Sequence, residues 1–305
     1  MTKITLPKQH RFLTLLMCFT LLLLILSGCA QKTTTKHQGI TVVSSLNFYG
    51  ETAKAVLGDH GTVHTIVTNP NTNPHDFEPT TKTARTVAQA DLVLMNGLGY
   101  DDWMQKLVEA NDNQVATLNV GKDIWHKKAG SNEHLWYQQQ TMPKLARRLA
   151  KIFGQQDPKH KTAYQRNAKK YIRSLKPLKV KQAQLKQHSH HQMVAVSEPV
   201  FNYALAALGY RISNAQFAQA IEEGTDPSPA QIKALQTDIK QRRIAFFVEN
   251  KQSSDQVVKN LVQLAKRHQV PVLKVTETLP QGLNYQQWML QQYQQLAKIQ
   301  QKQAH

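Results

Sequence analysis

Two α/β lobes with mostly parallel sheets, joined by a helical connection, are what this sequence predicts. Three observations carry the prediction. Short apolar runs alternate with helical patterns from Ile40 to Val120; the alternation gives way to a basic, strand-free stretch from Met142 to about Gln187; and it resumes from Met193 onward. Strands separated by helices build βαβ units, whose crossovers make the sheet parallel. The 305 residues suit about two domains.

In chain order, Ile40–Leu46 reads as a strand and Phe48–Leu57 as a helix. His64–Thr68 is a second strand. Thr80–Gln89 is a helix, Leu92–Asn96 a strand, Asp101–Glu109 a helix with Asp101-Asp102 at its cap, and Val115–Val120 a strand. These elements form an N-terminal lobe over residues 40–155. In the connection, residues 156–192, Asp157-Pro158 reads as an N-cap with proline at the first helical position. Tyr164, Ala168, Tyr171, Ile172 and Leu175 then mark one buried helix face, and Pro177 should end or kink that helix. The C-terminal lobe, residues 193–305, follows: strand Met193–Ser197, helix Val200–Leu208, helix Ser228–Ile239, strand Ile244–Val248, helix Ser253–Arg267, strand Pro271–Val275 and a Gln-rich helix Tyr285–Ile299. Two such halves around a helical link suggest pseudo-symmetry.

Composition narrows the function classes. Hydrophobic residues at 41% and charged residues at 19% permit a packed core and exclude wholesale disorder. Two cysteines and no CxxC exclude a disulfide scaffold and a cysteine-based zinc ribbon. The net charge of +18 would ordinarily raise nucleic acid as a partner. The N-terminus argues otherwise. Lys3, Lys8 and Arg11 precede an apolar run from Phe12 to Leu26, too short for a span but suited to a signal-peptide core. The run ends in Leu26-Ser27-Gly28-Cys29, which resembles the bacterial lipoprotein signal, in which the cysteine is lipidated and becomes the new N-terminus. Residues 1–28 are then a removed signal and residues 29–39 a polar tether. Without those three cations the mature chain carries +15. Outside the cell such a surface meets anionic lipid or wall polymers rather than chromosomal DNA.

Ligands of open α/β sheets bind beyond the carboxyl ends of the strands. The polar residues that follow the strands are therefore the candidates: His75 in Asn73-Pro74-His75-Asp76-Phe77-Glu78-Pro79, His134 in Asn132-Glu133-His134-Leu135-Trp136, Glu198, Glu249 and Glu277. Neutral imidazole and carboxylate groups from separate loops are what a divalent cation requires. Ser189-His190-His191 and His126 read as surface residues, and Trp103, Trp136 and Trp288 as core or cleft-wall aromatics.

Taken in order, several segments resemble the metal-specific solute-binding lipoproteins of ABC transporters, the zinc and manganese binding-protein family. These are the lipoprotein signal, Pro74-His75-Asp76-Phe77-Glu78-Pro79, Asn96-Gly97-Leu98-Gly99-Tyr100-Asp101-Asp102-Trp103-Met104, His134-Leu135-Trp136, Ser197-Glu198-Pro199-Val200-Phe201-Asn202-Tyr203, Asp226-Pro227-Ser228-Pro229, Val248-Glu249 and Thr276-Glu277-Thr278. The fold this implies is two Rossmann-like lobes bridged by a long rigid helix, with a metal site in the cleft. By the same resemblance His75, His134, Glu198 and Glu277 are the ligands of a transported Mn2+ or Zn2+. Glu277 stands where the family has aspartate, one methylene shorter. Glu249 is either a rival ligand or an acceptor that orients a histidine or helix behind the ligands.

The implied partners are an ABC permease and its cytoplasmic ATPase, and the implied place is the outer face of the cell membrane, for a monomer. The chain itself has no GxxxxGK[ST] for nucleotide. Two histidines and two carboxylates make a harder donor set than three histidines. The stretch from Ile124 to Glu133 also lacks the His- and acid-rich insertion of zinc-specific relatives. Both features point towards manganese over zinc. Binding should weaken below about pH 6.5, where free imidazole gains its proton. The competing classes are a secreted metallohydrolase and a surface adhesin with a structural metal; no HExxH, GxSxG or Ser-His-Asp pattern supports an enzyme.

Overall fold

The computed structural model describes residues 39–111, 114–253 and 255–303. The signal segment, Cys29 and the tether as far as Gln38 lie outside the described residues. The first strand, β1 (Ile40–Leu46), is buried along its whole length, as expected for a central strand covered on both faces. It pairs in parallel with β2 (Gly61–Val67) on one side and β3 (Leu92–Met95) on the other, and β4 (Ala116–Asn119) pairs with β3. Helices α1 (Asn47–Leu57), α2 (Thr81–Ala88) and α3 (Asp102–Glu109) follow the first three strands. Thr80 starts α2 with a reciprocal cap: its hydroxyl accepts from the Thr83 amide at 3.2 Å, and Thr83 accepts from the Thr80 amide at 3.3 Å. Asp101 does not cap α3. It is buried, and its carboxylate accepts from Ser45 Oγ at 2.5 Å and from the amides of Asn96 and Gly97 at 2.7 and 2.8 Å. It therefore ties the end of β1 to the loop after β3.

Three helices connect the sheets: α4 (Thr141–Gln156), α5 (Lys161–Ser174) and α6 (Lys176–Gln187). Asp157-Pro158 opens a single 3-10 turn ahead of α5, and the Asp157 carboxylate receives His160 and Tyr164 instead of capping. The bridge expected as one helix is α5 and α6 in series, broken at Leu175 where Pro177 can donate no N–H to the ladder.

In the second half, β5 (Met193–Val196) pairs in parallel with β6 (Arg211–Ile212) and β7 (Phe247–Asn250), and β7 with β8 (Val272–Val275). The order β6-β5-β7-β8 repeats β2-β1-β3-β4, so the pseudo-symmetry is real. The helices here are α7 (Asn202–Leu208), α8 (Ala215–Glu222), α9 (Pro229–Lys240), α10 (Gln256–Arg267) and α11 (Tyr285–Gln303). Ser228 and Gln231 form the reciprocal cap of α9, with Pro229 at its first position. The sequence reading missed β6 and α8.

One buried cluster runs through both halves, with Phe48, Trp136, Tyr137, Phe201, Trp288 and Tyr293 among its members. Phe48 meets Trp136, and Tyr137 meets Phe201, each at 5.0 Å between ring centres. Hydrogen bonds reinforce the join: Tyr285 Oη donates to the Trp136 carbonyl at 2.6 Å, and Tyr137 Oη to the Thr276 carbonyl at 2.5 Å. A packed apolar interface resists hinge opening. A second cluster, which includes Ala195, Phe217, Leu235 and Phe247, lies on the other face of the second sheet. Val194, Val196 and Val248 face the shared core and Ala195 and Phe247 face this outer one, the two-residue alternation of a strand.

Candidate metal centre

Loops at the carboxyl ends of several strands supply the residues of the site. The loop after β2 carries His75. Asn73 shapes it, accepting the His75 amide at 3.1 Å and donating to Asp76 at 2.7 Å, and Trp103 Nε1 holds the Pro74 carbonyl at 3.1 Å. The far lobe reaches over to the same loop: the Pro70 carbonyl accepts Gln252 Nε2 at 2.5 Å and Thr278 Oγ1 at 2.6 Å. His75 is therefore fixed at the mouth of the cleft, with its ring edge against Tyr100 at 4.8 Å.

His134 lies deeper and is completely buried. It precedes a 3-10 turn, Leu135–Tyr137, whose three side chains anchor in the core. Asn132 sets its tautomer. Asn132 Nδ2 donates to the Pro199 carbonyl at 2.8 Å, so its Oδ1 faces His134, accepting the backbone amide at 2.9 Å and Nδ1 at 3.0 Å. A carbonyl oxygen can only accept, so Nδ1 carries the proton and Nε2 is the free donor atom. That Nε2 has no hydrogen-bond partner and lies 3.5 Å from Glu222 Oε1 and 3.8 Å from Glu277 Oε1, the latter oxygen also unpartnered.

Glu198 follows β5, as expected, and Asn250 at the end of β7 links it to Glu277, donating to Glu198 Oε2 at 2.5 Å and to Glu277 Oε2 at 3.4 Å. Glu277 follows β8, and its amide donates to Gln252 Oε1 at 2.6 Å. His75, His134, Glu198 and Glu277 thus share one cleft. Glu249 does not join them. It sits inside β7, not after it, on the face opposite Asn250, and pairs with Lys274 across the strands at 3.9 Å. Asn250 is the residue that orients the carboxylates, and the reading of Glu249 as rival ligand or orienting acceptor is corrected.

Two carboxylates were missed. Glu222 ends α8, with its Oε1 3.9 Å from His75 Nε2 and 3.5 Å from His134 Nε2. Glu133 Oε1 lies 3.5 Å from His75 Nε2. Ligand atoms of His75, Glu133 and Glu222 fall within 4.8 Å of one another, the spread that one ion could gather. The only sequence hint for Glu133 was its place beside His134, and for Glu222 the pair Glu222-Glu223 before Gly224.

Among the described residues the cleft, about 540 Å³, is lined by six carboxylate side chains and His75 and by no Lys or Arg, in a chain whose balance is +18. The carboxylates and the histidine perturb one another. Burial alone would lower the His134 pKa, but Glu277, Glu222 and Glu133 outweigh it and raise the imidazole to about 9. Burial pushes the Glu222 carboxyl up, opposed by His134 and reinforced by Glu277 and Glu133. Burial also raises Glu198, partly offset by Asn250 and Ser253. Burial works in the same sense on Glu277, yet His134 and Tyr100 hold it below its ordinary value. A site that takes up a proton on His134 and hinders ionisation of two carboxyls lacks positive charge. A divalent cation would supply it, with nitrogen and oxygen donors suited to manganese or zinc.

Comparison with known proteins agrees with this chemistry. The sequence profile of the ZnuA family, described as zinc-uptake complex component A, periplasmic, matches residues 42–299. The chain is 29% identical over 255 residues to the manganese ABC transporter substrate-binding lipoprotein PsaA of Streptococcus pneumoniae, covering 78% of this chain and 81% of that one. It is 26% identical over 253 residues to the manganese-binding lipoprotein MntA of Halalkalibacterium halodurans, covering 76% and 80%. In fold it is similar to the solute-binding protein FpvC of Pseudomonas aeruginosa in complex with Mn2+, at a TM-score of 0.71 and 18% identity, covering 87% and 99%. Both sequence relatives are named as metal-binding or substrate-binding lipoproteins, not as enzymes.

Proposed function

The chain belongs to the ZnuA family of metal-uptake solute-binding proteins, and from that premise we propose that it captures a divalent transition metal outside the cell and hands it to an ABC permease. One observation carries the reading: the buried, unpartnered Nε2 of His134 aimed between two carboxylates. His75, His134, Glu198 and Glu277 are the ligands we assign, and Glu222, between the two histidines, is a further carboxylate donor. His134 and Glu277 would form the base of the site, His75 its mouth. Four or five donors of this kind offset the dehydration of the ion. The division into lobes at residues 40–155 and 193–305 belongs to the same reading.

The cargo we favour is manganese. Several carboxylates and two imidazoles make an oxygen-rich shell that supports more than four-coordination. Two relatives carry manganese in their names. Zinc binds most such sites more tightly than manganese, so the purified protein should bind both. Cys29 anchors the mature chain by lipid to the outer face of the membrane, as the relatives named lipoproteins suggest. A permease dimer then docks over the cleft and a cytoplasmic ATPase drives import. The shared core between the lobes favours small adjustments at the cleft mouth over wide hinge motion. Cells lacking this protein test the proposal: a growth defect rescued by added manganese but not zinc supports it, whereas rescue by zinc alone with normal manganese content sinks the manganese assignment.

A further inference from the structure

The net charge of this protein is concentrated in one place. Helices α4 to α6 with their short links, residues 141–187, hold fourteen Lys and Arg against a single acid, Asp157. That balance of +13 is nearly the whole +15 of the mature chain. Asp157 does not neutralise its neighbours, because His160 and the Tyr164 hydroxyl occupy its carboxylate at 2.6 and 2.7 Å.

The cations converge on a groove of about 1070 Å³ between α4 and α5, lined by Arg147, Lys151, Lys161, Arg166, Lys169 and Arg173 with no carboxylate. All six are exposed, and among the described residues none forms an ion pair. Folding alone does not require this. An isolated surface charge is worth little to stability, and six like charges facing one groove repel.

The first described residues lie beside this face. The Ile40 amide donates to the His60 carbonyl at 3.1 Å, and the His60 ring stacks on His160 at 3.9 Å, immediately before Lys161. Ten residues from Cys29 to Gln38 span at most about 34 Å. If the chain is lipid-anchored at Cys29, as proposed above, Gly39 stays within about that reach of the bilayer. The cleft lies at the opposite, carboxyl end of the parallel strands, where the loop after β2 carries His75.

We propose that the basic groove between α4 and α5 is a membrane-docking surface that binds anionic phospholipid head groups and lays this face of the protein on the bilayer. Each Lys or Arg near an anionic surface adds attraction to that of the lipid anchor. Docking at the tether end leaves the cleft mouth turned outward, where metal arrives, and this face must leave the bilayer before the cleft meets the permease. The contact is electrostatic, so rising salt loosens it.

The test uses the mature chain carrying Cys29→Ser, so that no acyl group contributes. It is mixed with vesicles of phosphatidylcholine alone and of phosphatidylcholine with phosphatidylglycerol in equal parts, at low and physiological salt, and the bound fraction is read by sedimentation. The proposal expects partitioning onto the anionic vesicles at least about tenfold stronger than onto the neutral ones. It expects the combined variant Arg147→Gln, Lys151→Gln, Arg166→Gln and Lys169→Gln to lose that preference. A control that removes the same charge elsewhere, Lys233→Gln, Lys240→Gln, Lys259→Gln and Lys266→Gln, should retain it. Manganese titration of the groove variant should be unchanged, so a failure of docking and a failure of metal binding are read separately. If the fourfold groove variant does not fold, Arg166→Gln with Lys169→Gln replaces it. Equal binding to both vesicle types, equal loss in groove and control variants, or binding to soluble polyphosphate without vesicle binding would each overturn the proposal.

Discussion

Metal binding should release protons in a pH range where ordinary histidines release none. His134 has an imidazole held at about 9 in the metal-free protein, because the carboxylates of Glu277, Glu222 and Glu133 outweigh its burial. At pH 7 it is protonated, and an ion can take Nε2 only by displacing that proton. Each pH unit below the pKa costs a factor of ten in apparent affinity per proton displaced. From pH 9, where the imidazole is already half protonated, down to pH 7 the loss is therefore about 50-fold, or about 2.3 kcal/mol. The raised Glu222 carboxyl adds to the release in the same direction. This moves the expected window up from about 6.5, the value of a free imidazole. Calorimetry of manganese binding in buffers of different ionisation enthalpy, at pH 7.5, counts the protons directly. Between about one and two should leave per ion. No release at pH 7.5, with affinity flat from pH 7 to pH 9, would refute the electrostatic argument for the site.

Stability carries the same signature. The folded His134 pKa of about 9 exceeds the unfolded value, so the folded state binds the extra proton between them; metal-free protein should therefore be most stable below about pH 6.5 and lose melting temperature as pH climbs through 9, while metal-loaded protein should not. Asn132→Ala removes the acceptor that fixes the His134 tautomer and should weaken metal binding by about 10- to 100-fold, read by competition with a chelator. His75→Ala, His134→Ala and Glu277→Ala should each weaken it strongly, and Glu249→Ala should leave it unchanged, since Glu249 pairs with Lys274 away from the cleft; equal small losses would move the site. Cys29→Ser should leave the protein without fatty-acid label and released from membranes; retained label would refute the anchor.

Most of the fold was legible because its strands are buried and short. Runs such as Ile40–Leu46 and Met193–Val196 have almost no exposed residue, and Gly, Pro or Asn bounds most of them, so their positions in the sequence are sharp. What escaped was small or shifted. β6 has two residues, and α8 buries little beyond Phe217 and Ala218, too weak a stripe to stand out. Glu222, which ends α8, was lost with it. The strand expected at Ile244–Val248 lies at Phe247–Asn250 and ends two residues further along than its apolar run, because the polar Glu249 and Asn250 continue the pairing with β8. A strand alternates faces, so Glu249 turned outward and Asn250 took the position against Glu198 and Glu277. His75, His134, Glu198 and Glu277 lie in loops beyond the sheets, where open α/β sheets hold ligands, but it was the resemblance to the metal-binding family that singled them out from other loop residues. Asp101 looked like a cap by its position before α3, but its role is set by Ser45 and the amides of Asn96 and Gly97, which only folding brings together.

The central claim is that one cation sits between the lobes on His75, His134 and the facing carboxylates. Anomalous diffraction from crystals of the manganese-loaded protein tests it most directly. The account predicts a single strong peak at about 2.0–2.4 Å from Nε2 of His75, Nε2 of His134 and oxygens of Glu277 and at least one of Glu198 and Glu222. A peak bound elsewhere, or one at the cleft that leaves His134 Nε2 uncoordinated, would contradict it.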